Sequence, residues 1–210
     1  MAQLVAVNVA RPAQISVRRG RPVLSAIGKQ PVEGRVRVSG VNLDGDDQAD
    51  RRVHGGPDKA VYAYASEDTA WWEQELGRPL GPGVFGENLT VAGVDVSSAV
   101  IGERWHVGST VLEVCQPRQP CFKLGIAFGD PKLLRRFALA SRPGAYLRIV
   151  TEGDLGAGDA VTVADRPSHG ITIAMVSDAL LVDDSDMARV AQAPALPANL
   201  AAWMRERAAA

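Results

Sequence analysis

The sequence predicts a mainly β fold: an antiparallel β-barrel with a few short helices and a small α-helical appendage at the C-terminus. Apolar residues alternate in short runs, as they do in half-buried strands. The 21 Gly and 13 Pro among the 210 residues separate these runs. From Ile171 onward the alternation gives way to helical spacing. Many strands with little helix between them favour a barrel over a doubly wound parallel sheet.

The strands of the body are predicted wherever alternation is bounded by turn residues. They are Leu4–Val9, Arg35–Val38, Ala60–Tyr64, Asn88–Val91, Arg104–Val107, Val111–Cys115, Tyr146–Val150 and Ala160–Val163. One helix is expected to begin with Ser66 as its N-cap and to end before Gly77. A second is expected to open at Asp130 and Pro131.

The hydrophobic pattern of the C-terminal segment predicts three short helices instead of strands. These are Ala174–Leu181, Asp186–Ala193 and Pro197–Arg207, and prolines separate the last two. The turn-rich segment from Asp165 to Gly170 is the natural boundary. We therefore expect a barrel domain over residues 1–168 and a three-helix appendage over residues 169–210.

The composition is that of an ordinary globular chain, with 46% hydrophobic and 22% charged residues. These values argue against disorder and allow a substantial core. A formal net charge of -1 gives no overall attraction to a nucleic acid polymer or an anionic membrane, so anion recognition must come from a local cluster. No apolar run reaches the roughly 18 residues of a membrane span, and no signal peptide is visible. We expect a cytoplasmic protein.

Two cysteines, Cys115 and Cys121, are too few for a disulfide scaffold or an all-cysteine zinc site. The chain between them spans about 20 Å when extended, whereas a disulfide needs Cα atoms within about 7 Å. Cys115 ends an apolar strand and is predicted to be a packed core thiol. Cys121 follows a proline-rich loop with Arg118 and Lys123 nearby, which favours a reactive or metal-ligating thiolate. The alternative for Cys121 is a second buried hydrophobe.

The segment from Asp44 to Lys59 is a polar cluster. Its acids are reminiscent of a calcium loop, but glycine falls at the wrong place and no glutamate occupies the twelfth position. Two consecutive glycines, Gly55 and Gly56, let the backbone approach a ligand closely, and hydrogen-bond donors stand beside them at Arg52, His54 and Lys59. The alternative is a long surface turn with solvated charges.

Other segments are less specific by themselves. The glycine turn at Phe85–Thr90 leads into a strand and predicts no more than a hairpin connection capped by Glu87 or Asn88. The chain has no nucleophile elbow, no phosphate-binding P-loop and no dinucleotide-binding glycine motif. The histidines and cysteines lack the close spacing of zinc ligands.

Four stretches of the sequence match those of a known family in their order and approximate spacing. The matching stretches are Gly45–Asp50 with Val53–Asp58, Phe85–Leu89, Gln116–Leu124 and, less closely, Gly144–Val150. Together they resemble the MOSC-domain family, named for the C-terminal domain of molybdenum cofactor sulfurases, and in particular its bacterial YiiM-like branch. The C-terminal helices resemble the three-helix appendage of that branch, so that the resemblance covers nearly the whole chain.

The resemblance implies a MOSC-type β-barrel that binds the molybdenum cofactor, Mo-molybdopterin. It implies that Cys121 is the protein ligand to molybdenum and the catalytic residue, which agrees with the softness of a thiolate. The cofactor phosphate needs cations, and the local candidates are Arg52, Lys59, Arg118, Lys123 and Arg148. His54, the backbone of Gly55 and Gly56, and Asn88 are expected to contact the cofactor or to frame its cleft.

The activity implied is that of a molybdenum-dependent oxidoreductase, a reductase of N-hydroxylated compounds such as hydroxylaminopurines or amidoximes. It would detoxify N-hydroxylated bases, and its electrons would come from a separate reductase or ferredoxin-like protein. Two alternatives stay open. Cys121 could carry a persulfide for the assembly of metal–sulfur centres, or the chain could be a non-catalytic cofactor-binding module. The sequence leaves the oligomeric state open.

Overall fold

A computed structural model describes residues 1–209 and, at residues 52 and 53, the backbone only. Its strands are β1 (Gln3–Val9), β2 (Ala13–Arg18), β3 (Arg21–Ser25), β4 (Gln30–Pro31), β5 (Arg35–Ser39), β6 (Asn42–Leu43), β7 (Val61–Ala65), β8 (Leu89–Ala92), β9 (Arg104–Val107), β10 (Thr110–Pro117), β11 (Ala145–Thr151), β12 (Gly153–Gly156) and β13 (Val161–Asp165). Its helices are α1 (Arg51–His54), α2 (Ser66–Leu76), α3 (Phe122–Phe128), α4 (Leu133–Leu139), α5 (Ile173–Leu181), α6 (Met187–Val190) and α7 (Ala198–Ala208). Short 3-10 turns occupy Pro57–Lys59 and Asp184–Asp186.

The main sheet has eight strands in the order β13-β9-β10-β11-β7-β8-β1-β4. The mainly β class is confirmed, and each predicted strand of the body is present within one or two residues. The prediction that all strands pair antiparallel is wrong at one place, because β7 and β8 are parallel. A parallel pair needs a crossover connection, and α2 supplies it by carrying the chain back between the two strands.

The barrel is not closed by a continuous ladder among the described residues. The edge between β1 and β13 is joined by an isolated bridge between Gln3 and Ala160. The backbone N–H of Leu4 also donates to the carbonyl of Asp159, at 2.8 Å. Two smaller sheets flank the main one, in the orders β12-β5-β6 and β2-β3.

The helices follow the sequence signals with small shifts. Helix α2 is present, but its N-cap is Ala65 with no side-chain cap, and the predicted cap Ser66 is its first helical residue. Gly77 ends α2 in the left-handed conformation, as its position predicts. The helix after Pro131 is α4, and α5 to α7 occupy the C-terminal segment.

Several elements were not predicted from the sequence, among them the β2–β3 hairpin and α3. The β2–β3 hairpin is largely exposed, so its residues show little apolar alternation. Helix α3 is short and follows directly on Cys121 without a side-chain cap.

The hydrophobic core has two parts. The larger cluster joins the sheet to the C-terminal helices, since Trp105 and Leu112 of the sheet belong to the same cluster as Met187, Val190 and Met204. The smaller cluster is mostly aromatic and packs α2, α3 and α4 on the other side, around Trp72, Phe85 and Phe137. The backbone N–H of Ile101 also donates to the carbonyl of Ile171, at 2.9 Å. The division into domains at residue 168 stays a prediction.

A shared core makes a measurable prediction for the C-terminal helices. Met204 is fully buried, so Met204→Ala is expected to lower the free energy of unfolding of the whole chain by about 2–5 kcal/mol in a urea titration. Val182→Ala, at a side chain that is 52% exposed, is the matched control and should stay within about 0.5 kcal/mol of the parent. An early, separate transition in Met204→Ala would show instead that the tail unfolds independently.

Candidate functional site around Cys121

A cavity of about 90 Å³ opens beside Cys121. We call it the thiol cavity. Of the residues predicted from the sequence, six line it: His54, Lys59, Asn88, Arg118, Cys121 and Lys123. The other lining residues are Ser25, Ala26, Ile27, Lys29, Asp46, Asp47, Gln48, Ala49, Tyr62, Phe85, Gly86 and Tyr146. Segments far apart in the chain therefore meet around one thiol.

The chain positions Cys121 at the junction of two regular elements. Strand β10 ends at Pro117, and Cys121 precedes α3 with extended backbone angles, φ -116° and ψ 163°. The backbone N–H of Leu124 donates to the carbonyl of Cys121 at 2.9 Å, which fixes the residue at the start of the helix. The thiol is half-buried, so it has contact with solvent as well as with the cavity wall.

The surroundings of Cys121 favour its thiolate. Burial is the largest single influence and acts to raise the thiol pKa. A hydrogen bond from His54, the charge of Arg118 and the backbone N–H of Lys123 act in the opposite direction. Their sum lowers the pKa of Cys121 from 9.0 to about 7. At neutral pH, a large fraction of this cysteine is therefore the thiolate, which is the form of cysteine that can act as a nucleophile or a metal ligand.

Arg118 is the most unusual residue of the thiol cavity. Its side chain is buried, with 6% of its surface exposed. Its guanidinium lies 5.6 Å from the ring centroid of Tyr62 and 5.4 Å from that of Phe137. Within residues 1–209, Nη1 has no hydrogen-bond partner and no described carboxylate forms a salt bridge with this arginine. A buried cation in this condition is costly, and an anion in the cavity would offset that cost.

Asn88 frames the cavity through bonds to the protein. Its Oδ1 accepts from the backbone N–H of Tyr62 at 3.1 Å, and its Nδ2 donates to Oδ2 of Asp46 at 3.0 Å. Asp46 in turn forms a buried ion pair with Lys29. Burial lowers the pKa of Lys29, and Asp46 counteracts that effect. Asn88 thus holds one wall of the cavity in place.

Lys29 and Asp46 were not identified as site residues from the sequence. Asp46 lies in the acidic segment, but nothing in that segment separates it from the neighbouring acids. Lys29 follows Gly28 without any recognisable motif. The pairing joins residues 17 positions apart, and no sequence signal could have found it.

The buried carboxylate of Glu87 shapes the turn before Asn88. It accepts from the backbone N–H of Gly83 at 2.6 Å, from that of Phe85 at 3.0 Å and from the hydroxyl of Thr90 at 3.0 Å. These bonds hold the carboxylate inside the protein, although burial raises its pKa. The expected capping role in this glycine turn is confirmed for Glu87.

Cys115 lies in a different environment. It is fully buried, and its thiol donates to the carbonyl oxygens of Asp58 at 3.1 Å and Tyr146 at 3.3 Å. Burial raises its pKa far above the ordinary range. Both cysteines are free thiols, and the prediction of a packed core thiol at Cys115 is confirmed.

The remaining predicted residues lie elsewhere. Gly55 and Gly56 line a second cavity of about 520 Å³, and Lys59 lines both cavities. Arg148 lines neither cavity: it forms ion pairs with Asp58 and Glu113. The side chain of Arg52 lies outside the described residues. The cofactor-binding roles of these residues stay predictions.

No cluster of three or more His, Cys, Asp or Glu side chains in residues 1–209 is arranged to hold a metal ion. In the same range, no helix combines the length and apolar character needed to cross a bilayer.

The difference between the two thiols predicts how they react. In protein free of bound metal, the rate of iodoacetamide alkylation at Cys121 should rise with a midpoint near pH 7. Cys115 should stay unmodified until the chain unfolds. His54→Ala should move the midpoint of Cys121 alkylation to a higher pH, because it removes a hydrogen bond that counteracts the effect of burial on the thiol pKa. Mass spectrometry of each peptide reports the rates, and a Cys121 midpoint near 9 would contradict the electrostatic argument.

Several known proteins are similar to this chain and indicate its family. A family model described as the MOSC domain matches residues 50–162. The uncharacterised protein YflK of Bacillus subtilis is 36% identical over 170 residues, covering 81% of this chain and 76% of its own length. A protein of Gibberella moniliformis named as a reductase is 34% identical over 154 residues, or 70% of this chain, but the match spans only 27% of that protein.

A solved structure agrees with these matches. The crystal structure of YiiM from Geobacillus stearothermophilus superposes with a TM-score of 0.81 at 29% identity, covering 99% of this chain and 100% of that one. The match includes the sheet, the short helices and the C-terminal helices described above. The family match includes Cys121 and most of the other residues of the thiol cavity. The chain belongs to the MOSC-domain family, with a YiiM-like fold.

Proposed function

We propose that this protein is a molybdenum-cofactor-dependent reductase of N-hydroxylated compounds, such as hydroxylaminopurines or amidoximes, with Cys121 as the protein ligand to molybdenum. The observation that carries the proposal is a thiol of lowered pKa that shares a cavity with the unpaired Nη1 of buried Arg118. Membership of the MOSC family supports a relation to the molybdenum cofactor. The fungal relative named as a reductase supports redox chemistry.

The residues of the site fit this cofactor. A thiolate is a soft ligand, suited to a metal that is already bonded to sulfur. The cofactor also carries a phosphate, and the cavity offers positive charge at Arg118, Lys59 and Lys123. An anionic group against Arg118 Nη1 would satisfy the one buried nitrogen of this side chain that has no partner in the described residues.

When bound, the cofactor would supply the two-electron chemistry that converts R–NHOH, two electrons and two protons into R–NH2 and water. The protein favours the thiolate form of Cys121 through His54, Arg118 and the N–H of Lys123. It holds the cavity wall through Asn88 and Asp46. The proposal assigns the two electrons to a separate reductase or ferredoxin-like protein.

A substitution at each cysteine tests the role of Cys121. Cys121→Ser is expected to abolish reduction of 6-hydroxylaminopurine by cofactor-loaded protein with an artificial electron donor, because a serine hydroxyl is a poor soft-metal ligand. Cys115→Ser is the matched control and should keep substantial activity, since Cys115 lies outside the cavity. Equal loss from both substitutions would reject the assignment of Cys121.

Metal content separates this function from its alternatives. Protein purified from a cofactor-producing host should contain molybdenum in stoichiometric amount. Molybdenum-free protein with a labile sulfane sulfur on Cys121 would overturn the reductase proposal in favour of a persulfide carrier. Protein with molybdenum and no reductase activity toward any N-hydroxylated compound would leave a non-catalytic binding module.

Removing the buried cation tests its part in retaining the cofactor. Arg118→Met is expected to lower the molybdenum-to-protein ratio by about tenfold or more at limiting cofactor, since a hydrogen bond to a charged group contributes about 1.5–3 kcal/mol. The melting temperature of the cofactor-free variant should not fall, because an unpaired buried charge is removed. Arg189→Met, at a side chain that is 61% exposed, is the control and should retain molybdenum like the parent. Unchanged retention in Arg118→Met would contradict the role given to this arginine.

A further inference from the structure

The second cavity lies between the body and the C-terminal helices. We call it the tail cavity. Its volume of about 520 Å³ falls within the roughly 300–1,000 Å³ of small-molecule sites, whereas the thiol cavity, at about 90 Å³, does not. Its lining residues are Gly55, Gly56, Pro57, Asp58, Lys59, Gln116, Gln119, Leu180, Asn199, Leu200 and Trp203.

One side of the tail cavity is apolar and comes from the C-terminal helices. Leu180 of α5 and Leu200 of α7 are half-buried there. Trp203 of α7 is 48% exposed, whereas Trp72 and Trp105 are fully buried. A large aromatic ring left exposed at a cavity wall is a stacking surface for a flat ligand.

The other side is polar and comes mainly from the body. The side-chain amide of Gln116 is held in place because its Nε2 donates to the carbonyl of Asp58 at 2.8 Å. Gln119 of the body and Asn199 of α7 add two more amides. Amide groups donate and accept hydrogen bonds at once, as do the edges of purine-type and pterin-type rings.

A glycine lets the backbone border this space closely. Gly56 has a φ of +94°, a backbone conformation that residues other than glycine rarely adopt. A Cβ atom placed at this position would meet no other atom within 4 Å. The glycine therefore leaves open space at the wall. A ligand ring could lie against the peptide plane at this position.

The two walls are fixed to one another by Arg148. Its guanidinium forms an ion pair with Asp58, a lining residue of the polar wall. Its Nη1 donates to the carbonyl of Ala195, in the segment leading to α7, at 2.7 Å. The body and the tail are thus bridged at the cavity, which favours a preformed site.

The tail cavity adjoins the thiol cavity through the chain itself. His54 lines the thiol cavity and the next residue, Gly55, lines the tail cavity. Gln119 lines the tail cavity, and Cys121 lines the thiol cavity two residues later. Lys59 lines both. A ligand in the tail cavity would lie next to the proposed reaction centre.

We propose that the tail cavity binds a flat heteroaromatic ring whose edge carries both hydrogen-bond donors and acceptors, with Trp203 as its stacking platform and Gln116, Gln119 and Asn199 as partners of that edge. Two sources have this chemistry: the purine-type base of an N-hydroxylated substrate and the pterin of the cofactor. The choice between these sources rests on the proposed function, whereas the binding of such a ring does not. The C-terminal helices would then be part of the binding site.

The test uses the full chain, purified free of cofactor from a host that cannot make it. Adenine and free pterin are titrated separately while tryptophan fluorescence is recorded, and calorimetry gives the affinity independently. At least one of the two rings should quench saturably. Trp203→Leu should weaken calorimetric binding by about tenfold or more, the loss expected when a base loses its aromatic stacking partner. Trp71 lies half-buried in α2 and does not line the tail cavity, so Trp71→Phe is the control and should bind like the parent.

Each outcome decides the matter. Binding of adenine by cofactor-free and by molybdenum-loaded protein would assign the cavity to the substrate. Binding of pterin by cofactor-free protein, with Trp203 fluorescence already quenched in loaded protein, would assign it to the cofactor. Saturable binding of neither ring, or binding unchanged in Trp203→Leu, would overturn the proposal. Because the cofactor-free measurements need no molybdenum, they can succeed or fail independently of the reductase function.

Discussion

The buried guanidinium of Arg118 places the strongest constraint on the rest of the site. It lies between the rings of Tyr62 and Phe137, and its Nη1 has no partner among the described residues. The aromatic cluster around α2, α3 and α4 packs against this charge, and Arg118 and Cys121 line the same cavity. Electrostatic interactions are stronger in a buried, low-dielectric environment than in water. The charge of Arg118 is therefore one cause of the lowered pKa of the Cys121 thiol.

The two cysteines show how strongly local geometry separates identical side chains. Cys115 lies within β10, where the sheet buries it and backbone carbonyls accept hydrogen bonds from its thiol. Past the end of that strand, Cys121 meets a histidine, an arginine and a backbone N–H. Burial acts to raise both pKa values, but only at Cys121 do opposing interactions exceed it. The prolines of the intervening loop carry the chain from one environment to the other.

The sequence predicted the parts of this protein that depend on local patterns. Alternating strands, the glycine stop of α2 and the special surroundings of Cys121 were all visible in short windows. The parallel β7–β8 pair was not, because pairing direction follows from the path of α2 across the sheet. The Lys29–Asp46 pair was equally invisible, since its two residues belong to different loops. Arg118 was predicted as a cation, but only tertiary packing reveals that its Nη1 lacks a partner.

The C-terminal helices contribute to the tail cavity because they pack in the same hydrophobic core as the main sheet. Met187, Val190 and Met204 pack with residues of the main sheet, and Arg148 bridges Asp58 to the carbonyl of Ala195. This anchoring holds α7 over the segment that runs from His54 to Lys59, so that Trp203 becomes part of a cavity wall. The residues around the thiol all belong to the body, whereas the apolar side of the tail cavity comes from the C-terminal helices. The fold thus places the proposed reaction centre in the body and completes the proposed recognition surface with the tail.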